Sequence, residues 1–600
     1  MRTSHARWKP LVAVVAVLFL ALPVATQQQK LELMPVAEVK AGMKGTAYTI
    51  FAGDQIEPME FEVLGVMPNT LGPGQDIILV QLKGEKPYYT GIVAGMSGSP
   101  AYINGKLVGA LSLRFGQFSK DPIGGITPIQ NMIEVTRPQK QQMAGSYRAA
   151  EAGEAAAMRP QYPISAELAR QTGGGGFLVP IETPLVFSGF HPATLSRFGE
   201  QISALGMVAT QGGTAEERPD DAQLKPGDMT SVVLVSGALS LNASCTVTAI
   251  IGDQVYVCGH PVFGYGDVEM PMARGRVVTT LASSFNSFKI VNAGGTIGTF
   301  TQDRLTAVAG KLGSGPKLIP VDLTIASDGQ EKKLSFQIIE HPKLTPLLVA
   351  ISTFNGLVSN TAYSEGTTFR LTGRMDLEGH SPVVLENMFA PTDAGVPDGF
   401  FVAINVQGVF TRIYTNQYER ARVSRIELRV ESIPERKWAT IESAWLEKSE
   451  VSPGENLNVK VLLRPYRGAP FIRDVPIRIP EQTTKGLVRV LVSDADTLNR
   501  TSRFLTAGPL SRLQGLEQLI TVLNRERRNN RLYVSLIQPS PTLLLEEKEL
   551  PNVPLSQSNV LDQRRTGTSS FLLRESNNGE WSLPMNQVIS GQQILTIVVK

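Results

Sequence analysis

The sequence predicts a mainly β protein of several domains, and three observations predict it. Glycine and proline number 55 and 39, which favours turns and short strands over long helices. Apolar runs, alternating or continuous, recur between turn signals at strand length. At 600 residues the chain exceeds what one hydrophobic core supports, about 250 to 300 residues. Hydrophobic residues make up 42% and charged residues 18%, enough apolar material for real cores. Lys+Arg 57 against Asp+Glu 54 leaves +3, too even a balance to argue for nucleic acid or an anionic membrane as partner.

The first residues read as an address. Arg2, Arg7 and Lys9 precede the apolar run Leu11 to Leu22, too short to span a bilayer, and Val24, Ala25 and Thr26 follow it. The expectation is a signal peptide over 1–26, cleaved near Ala25 or Thr26, and a secreted or periplasmic chain with no stable membrane span afterwards. An uncleaved anchor is the alternative.

Between 27 and 135 strands are expected at Ala47–Phe51, Phe61–Val66 and Asp76–Leu82, the last leading into Gly91-Ile-Val-Ala-Gly-Met-Ser-Gly-Ser-Pro100. There Ser97 is fenced by Gly95 and Gly98. Glycines take positive φ, so this turn is expected to expose one hydroxyl and to aim the backbone N–H groups of Gly95 and Ser97 beside it as an oxyanion hole. The plainer reading of the same residues is a turn between two buried strands. Asn104-Gly105 marks the tip of the next hairpin. A short helix is expected from Thr127, as N-cap, and Pro128 through Met132 and Ile133. From Thr136 the chain turns polar and Ala-rich, and Gly173 to Gly176 and Gly212 to Asp221 add further joints, so 136–222 reads as a linker with a small α/β segment.

Residues 223–330 repeat the device seen at Ser97. Strands at 231–236 and 243–250 lead to Val255-Tyr256-Val257-Cys258-Gly259-His260, an apolar run that ends in glycine and exposes one functional side chain. Of five histidines, His5 lies in the signal, His191 and His341 precede prolines where a capping or surface role fits, and His380 sits in a turn. His260 is therefore the candidate base for Ser97, with a satisfied strand-end histidine as the alternative. Cys245 and Cys258 flank a hairpin around Gly252-Asp253, which in an oxidising compartment leaves a cross-strand disulfide or two buried thiols. Two cysteines give no metal site, and neither metal nor cofactor is expected.

Gly95-Met96-Ser97-Gly98-Ser99-Pro100, followed by Asn104-Gly105-Lys106-Leu107-Val108-Gly109-Ala110, resembles the active-site segment of the SpoIVB serine peptidases. The resemblance extends to Gly259-His260 and to the glycine-spaced run Gly298 to Gly310, and covers about residues 40–315. It implies a chymotrypsin-like double β-barrel with the site in the cleft between barrels, Ser97 as nucleophile, His260 as general base, and the N–H groups of Gly95 and Ser97 on the oxyanion. Two departures stand out. The serine half precedes the histidine half, a permuted order that a triad defined by geometry tolerates. The family's orienting aspartate, about fifteen residues before the serine, falls on Leu82. Asp303, Asp267 and Glu269 are the alternative acids. Leu224-Lys225-Pro226-Gly227-Asp228 resembles a fragment of the family's PDZ domain, and the rest of such a domain does not follow.

Beyond these halves the sequence argues architecture alone. A β-rich extension is expected over 331–435, with a helix from Leu344 to Phe354. A β-sandwich-like region follows over 436–600, interrupted by a helical stripe of Leu510, Leu513, Leu516, Leu519, Ile520 and Leu523. Trp438, Trp445 and Trp581 read as core, with carbohydrate stacking as the alternative, and Arg525-Glu526-Arg527-Arg528 as a solvated helix end. The functional expectation is a secreted or periplasmic serine endopeptidase, acting on a protein or peptide through an acyl-enzyme in regulatory processing. The competing class is a non-catalytic envelope binding or scaffold protein that retains the peptidase fold.

Overall fold

A computed structural model describes residues 31–116, 121–137, 160–164, 176–213, 223–283, 286–359, 366–392, 398–506, 515–540 and, with breaks, 542–600. The signal segment, the polar stretch 138–159, Gly173 to Gly175, the joint 214–221, and Leu510 and Leu513 lie outside the described residues.

Six strands build the first barrel: β1 (Lys44–Ile50), β2 (Ile56–Gly72), β3 (Gln75–Lys83), β4 (Ser99–Ile103), β5 (Lys106–Phe115) and β6 (Ile123–Pro128). All neighbours are antiparallel, in the order β4-β1-β2-β3-β6-β5, and pairing of β4 with β5 closes the sheet on itself. Closure leaves no free edge and turns every second side chain inward. Ala47, Phe61, Val63, Val80, Leu82 and Met96 fill the interior. Leu82 is thus barrel core. The β4–β5 hairpin turns at Asn104 and Gly105, whose φ values of 50° and 77° are those a two-residue turn of this hand demands.

Thr127 departs from the expected helix cap. It belongs to β6, and the helix α2 (Ile129–Glu134), which follows α1 (Glu85–Thr90), is capped by Pro128. The Thr127 hydroxyl instead donates across to the second barrel.

Strands β7 (Tyr162–Pro163) and β8 (Phe177–Pro180) extend the first sheet from β5. A parallel unit of β9 (Thr183–Ser188), α3 (Pro192–Ala204) and β10 (Met207–Gln211) then leads to the second sheet.

The second barrel repeats the first in plan. It comprises β11 (Met229–Gly237), β12 (Ser240–Ile251), β13 (Gln254–Val257), β14 (Gly266–Leu281), β15 (Phe288–Arg304) and β16 (Ala307–Leu312). They run β12-β13-β16-β15-β14-β11, all antiparallel, and β11 pairs back with β12. Both six-stranded barrels are therefore closed.

The second sheet continues through β17 (Ile319–Ser327), β18 (Gln330–Ile338), β19 (Thr368–Leu377), β20 (Val383–Phe389) and β21 (Val423–Ile433). Helices α4 (Thr345–Val358) and α5 (Asp398–Tyr414) pack on it, sharing one core with the barrel.

The C-terminal region is a sandwich. One sheet holds β22 (Trp438–Leu446), β24 (Asn456–Pro465), β25 (Phe471–Arg478) and β32 (Val588–Ser590). The other holds β23 (Glu450–Val451), β26 (Gly486–Ser493), β27 (Arg531–Gln538), β31 (Ser576–Pro584) and β33 (Gln592–Val599). Val459, Val461, Val490, Val534 and Ile597 meet between them. Helices α6 (Ala495–Thr506) and α7 (Leu516–Arg525) interrupt the sandwich, and Leu516, Leu519, Ile520 and Leu523 join the core of the preceding domain. Strands β28 (Thr542–Leu545), β29 (Lys548–Pro551) and β30 (Ser570–Leu573) form a small third sheet. The charged end of α7 is paired: Glu526 with Arg412, Arg527 with Glu580, Arg528 with Glu386. Among the described residues no helix is long and apolar enough to cross a membrane.

Candidate active site between the two barrels

The Ser97 turn leaves the first barrel and is gripped by the second. Thr246 on β12 donates its N–H to the Ser97 carbonyl at 2.8 Å and its hydroxyl to the Gly95 carbonyl at 3.0 Å. Thr248 donates to the Gly98 carbonyl at 2.7 Å. Gly95 and Gly98 have φ of 96° and 94°, a backbone conformation that L side chains rarely adopt. At Gly98 the need is also steric, because a Cβ there would stand 1.9 Å from the Thr246 carbonyl oxygen.

Ser97 is fully buried, and its hydroxyl donates to Cys245 Sγ at 3.6 Å. Cys245 is joined by a disulfide to Cys258, two residues before His260. The structure thus brings the serine turn and the histidine turn to opposite ends of one covalent bridge. No hydrogen bond joins Ser97 to His260.

His260 is 4% exposed. Its Nδ1 lies 2.7 Å from the carbonyl oxygen of Pro261, and since a carbonyl only accepts, Nδ1 carries the proton. That leaves Nε2 as the basic nitrogen, buried with no hydrogen-bond partner. Burial holds the ring's pKa below 6.5, against the opposing pull of the Pro261 carbonyl, the Glu182 carboxylate and the Ile181 carbonyl. The imidazole is accordingly neutral at neutral pH, the state a general base requires.

The candidate acids are elsewhere. Asp303 is buried, but its carboxylate accepts the N–H groups of Val262, Phe263 and Gly264 at 2.8 to 2.9 Å. It fastens the loop that presents the Pro261 carbonyl, and reaches the imidazole only through it. Burial raises its pKa despite those donors. Asp267 is exposed and paired with Arg304 and Gln302. Glu269 pairs with Arg420. Among the described residues no carboxylate hydrogen-bonds the His260 ring; a backbone carbonyl sets its tautomer.

Of the two expected oxyanion donors, one is engaged in this state. Gly95 N–H is engaged by the Glu182 carbonyl at 3.2 Å, so it is not free to receive an oxyanion in this state. Met96 and Gly98 N–H groups donate to Val93 and Leu111. The Ser97 N–H makes no hydrogen bond among the described residues.

Sequence reasoning missed three groups around this centre. Glu182 is 2% exposed and forms a two-pronged pair with Arg114 at 2.7 and 2.8 Å. Thr127 donates to the Gly259 carbonyl at 2.7 Å and shares a hydrogen bond with Ser112. Lys289 on β15 is fully buried, its stem against Gly95 and its amine donating to Thr49 at 2.7 Å, and burial lowers its pKa to about 7. The signal was present for two of the charged ones: Arg114 and Glu182 each stand alone inside a largely apolar run. A charge in such a run is either at an edge or buried with a partner. Among the described residues no cluster of His, Cys, Asp or Glu is placed to hold a metal ion.

Two closed six-stranded antiparallel β-barrels thus meet at a junction that holds a glycine-fenced serine from the first and a buried histidine from the second, an arrangement consistent with a β-barrel peptidase. Residues 20–133 match the family model SpoIVB peptidase S55. The match spans about a fifth of the chain, including Ser97 and ending before the second barrel with His260. No curated protein and no solved structure matches the chain.

Proposed function

We propose that the protein is an exported serine endopeptidase that cleaves a protein or peptide substrate through an acyl-enzyme, in a processing rather than a digestive role. The observation that carries this reading is His260: a buried neutral imidazole with Nδ1 committed to a carbonyl and Nε2 unpartnered, two residues past the cysteine whose disulfide partner accepts the Ser97 hydroxyl. Ser97 attacks the peptide carbonyl as Nε2 takes its proton, and the imidazolium returns that proton to the leaving amine. The Ser97 N–H is the oxyanion donor at hand, and Gly95 N–H joins it when the Glu182 carbonyl withdraws. The secretory-type leader supports export, and the deep burial of Ser97 supports a restricted activity, because substrate reaches the hydroxyl only after the barrels part or the turn moves.

A second reading has its own observation. Ser97 is sealed and bonded to sulfur instead of imidazole, as suits a non-catalytic envelope protein that keeps the fold. A fluorophosphonate probe applied to the mature protein separates the two. The peptidase reading expects labelling at Ser97, absent in Ser97→Ala and strongly reduced in His260→Ala. An unlabelled folded protein, or labelling indifferent to His260, sinks it.

A further inference from the structure

We propose that the Cys245–Cys258 disulfide is a positioning element of the reaction, which aims His260 and holds the Ser97 hydroxyl, beyond any part it has in stability. The inference rests on the peptidase reading of Ser97 and His260. Its first support is the backbone at Cys258. Gly259 N–H donates to the Val257 carbonyl at 2.8 Å, closing a γ-turn centred on Cys258, whose φ is +68°. A γ-turn with positive φ at its centre is the rare, strained form.

Among the described residues five non-glycine residues have positive φ: Asn69, Asn104, Asp328, Arg467 and Cys258. The first four are exposed; Cys258 alone is buried. A left-handed non-glycine residue is strained and persists only where its surroundings over-determine it. Here the disulfide does so, tying Cys258 across the hairpin to Cys245 with Cα atoms 5.2 Å apart. Gly259, at φ +72°, continues the reversal, and His260 is the next residue. The imidazole's direction is therefore set by the torsion that the disulfide maintains.

The second support lies at the other sulfur. Cys245 Sγ is the hydrogen-bond acceptor of the Ser97 hydroxyl, and the next residue, Thr246, binds the Ser97 and Gly95 carbonyls. One covalent link thus ends on the nucleophile's hydroxyl and on the turn that carries its base. A staple for stability alone needs neither contact. Sulfur is a weak acceptor, so the hydroxyl is held in place yet released readily to Nε2.

The test separates backbone torsion from cross-linking. Mature wild type, Cys245→Ala/Cys258→Ala and Cys245→Ala/Cys258→Gly are compared for the rate and pH profile of fluorophosphonate labelling at Ser97, with circular dichroism reporting the fold. The alanine pair should fold and label about 100-fold more slowly, the order that misplacing a catalytic group costs. The glycine pair should recover about tenfold of that, because glycine takes φ +68° without the steric penalty.

Folded alanine-pair protein that labels at the wild-type rate overturns the inference and leaves the peptidase reading standing. So does a glycine pair no faster than the alanine pair. A wild type that takes no label overturns the peptidase reading, and the inference with it. Should the double variants not fold, folded wild type is reduced by a dithiol, which leaves two thiols and is itself oxidised to a disulfide. Once thiol titration reads complete reduction, retained labelling overturns the inference and lost labelling with retained fold supports it.

Discussion

At Gly98 the serine turn lies against the backbone of the second barrel with no room for a side chain, and its replacement is a sharp local test of barrel docking. Alanine there places a Cβ 1.9 Å from the Thr246 carbonyl oxygen and 2.7 Å from the Cys258 nitrogen, at a φ of +94°. Neither neighbour is the end of a flexible side chain, so strand β12 or the serine turn must shift. Gly98→Ala should cost about 2–4 kcal/mol in chemical denaturation and abolish labelling of Ser97; stability within about 0.5 kcal/mol of wild type would contradict the close approach. His260 offers a second test. Burial lowers its pKa, so the neutral base is present down to below pH 6.5. The acid limb of Ser97 labelling should have its midpoint below 6.5. A midpoint at or above about 7 would mean that Glu182 and the nearby carbonyls outweigh burial.

At the scale of elements, the connector between β8 and β9 matters more than its length suggests. Ile181 N–H donates to the Ser112 carbonyl, the Glu182 carbonyl accepts Gly95 N–H, and the Glu182 side chain is locked by Arg114. Three short contacts thus hold the serine turn from the first barrel's side, as Thr246 and Thr248 do from the second. Glu182→Gln removes the charge that Arg114 neutralises while keeping the shape, leaving a buried cation unpaired. The expected loss is about 3–5 kcal/mol, with the double variant Arg114→Met/Glu182→Gln recovering much of it. Urea denaturation of wild type and both variants measures this, and a single variant as stable as the double contradicts it.

The connector also marks where sequence reasoning reaches its limit. Gly95-x-Ser97-Gly98, Asn104-Gly105 and Gly259-His260 announced their turns, because positive φ leaves a signature in residue type. The strand-rich halves and the helical insertion followed from periodicity. The closing pairs β4–β5 and β11–β12 are long-range register, which no local pattern encodes. Thr127 reads as a helix cap locally, yet its hydroxyl serves Ser112 and Gly259 from strand β6. Carboxylates are the residues a sequence offers to orient His260, whereas a backbone carbonyl, present at every residue, carries no signature in sequence.

Across the whole molecule the barrels are joined by a buried amine as well as by hydrogen bonds. Lys289 lies on β15 of the second barrel, donates to Thr49 on β1 of the first, and packs its stem on Gly95. Among the described residues no carboxylate pairs with it, and burial takes its pKa from 10.5 to about 7. Between those two values the unfolded chain carries the extra proton and the folded chain does not. Stability therefore rises with pH across that window, by up to about 1.4 kcal/mol per pH unit, and is lowest below about 7, where folding must bury the charge. Lys289→Met keeps the stem and removes the titration. Guanidinium midpoints of wild type and variant, taken from about pH 7 to 9, should diverge toward low pH, the variant being the more stable there. Every other titrating group is common to both chains, so the difference isolates Lys289. Parallel pH dependences would show that the amine is charged in the folded protein, and that the two barrels meet around a cation instead of a neutral donor.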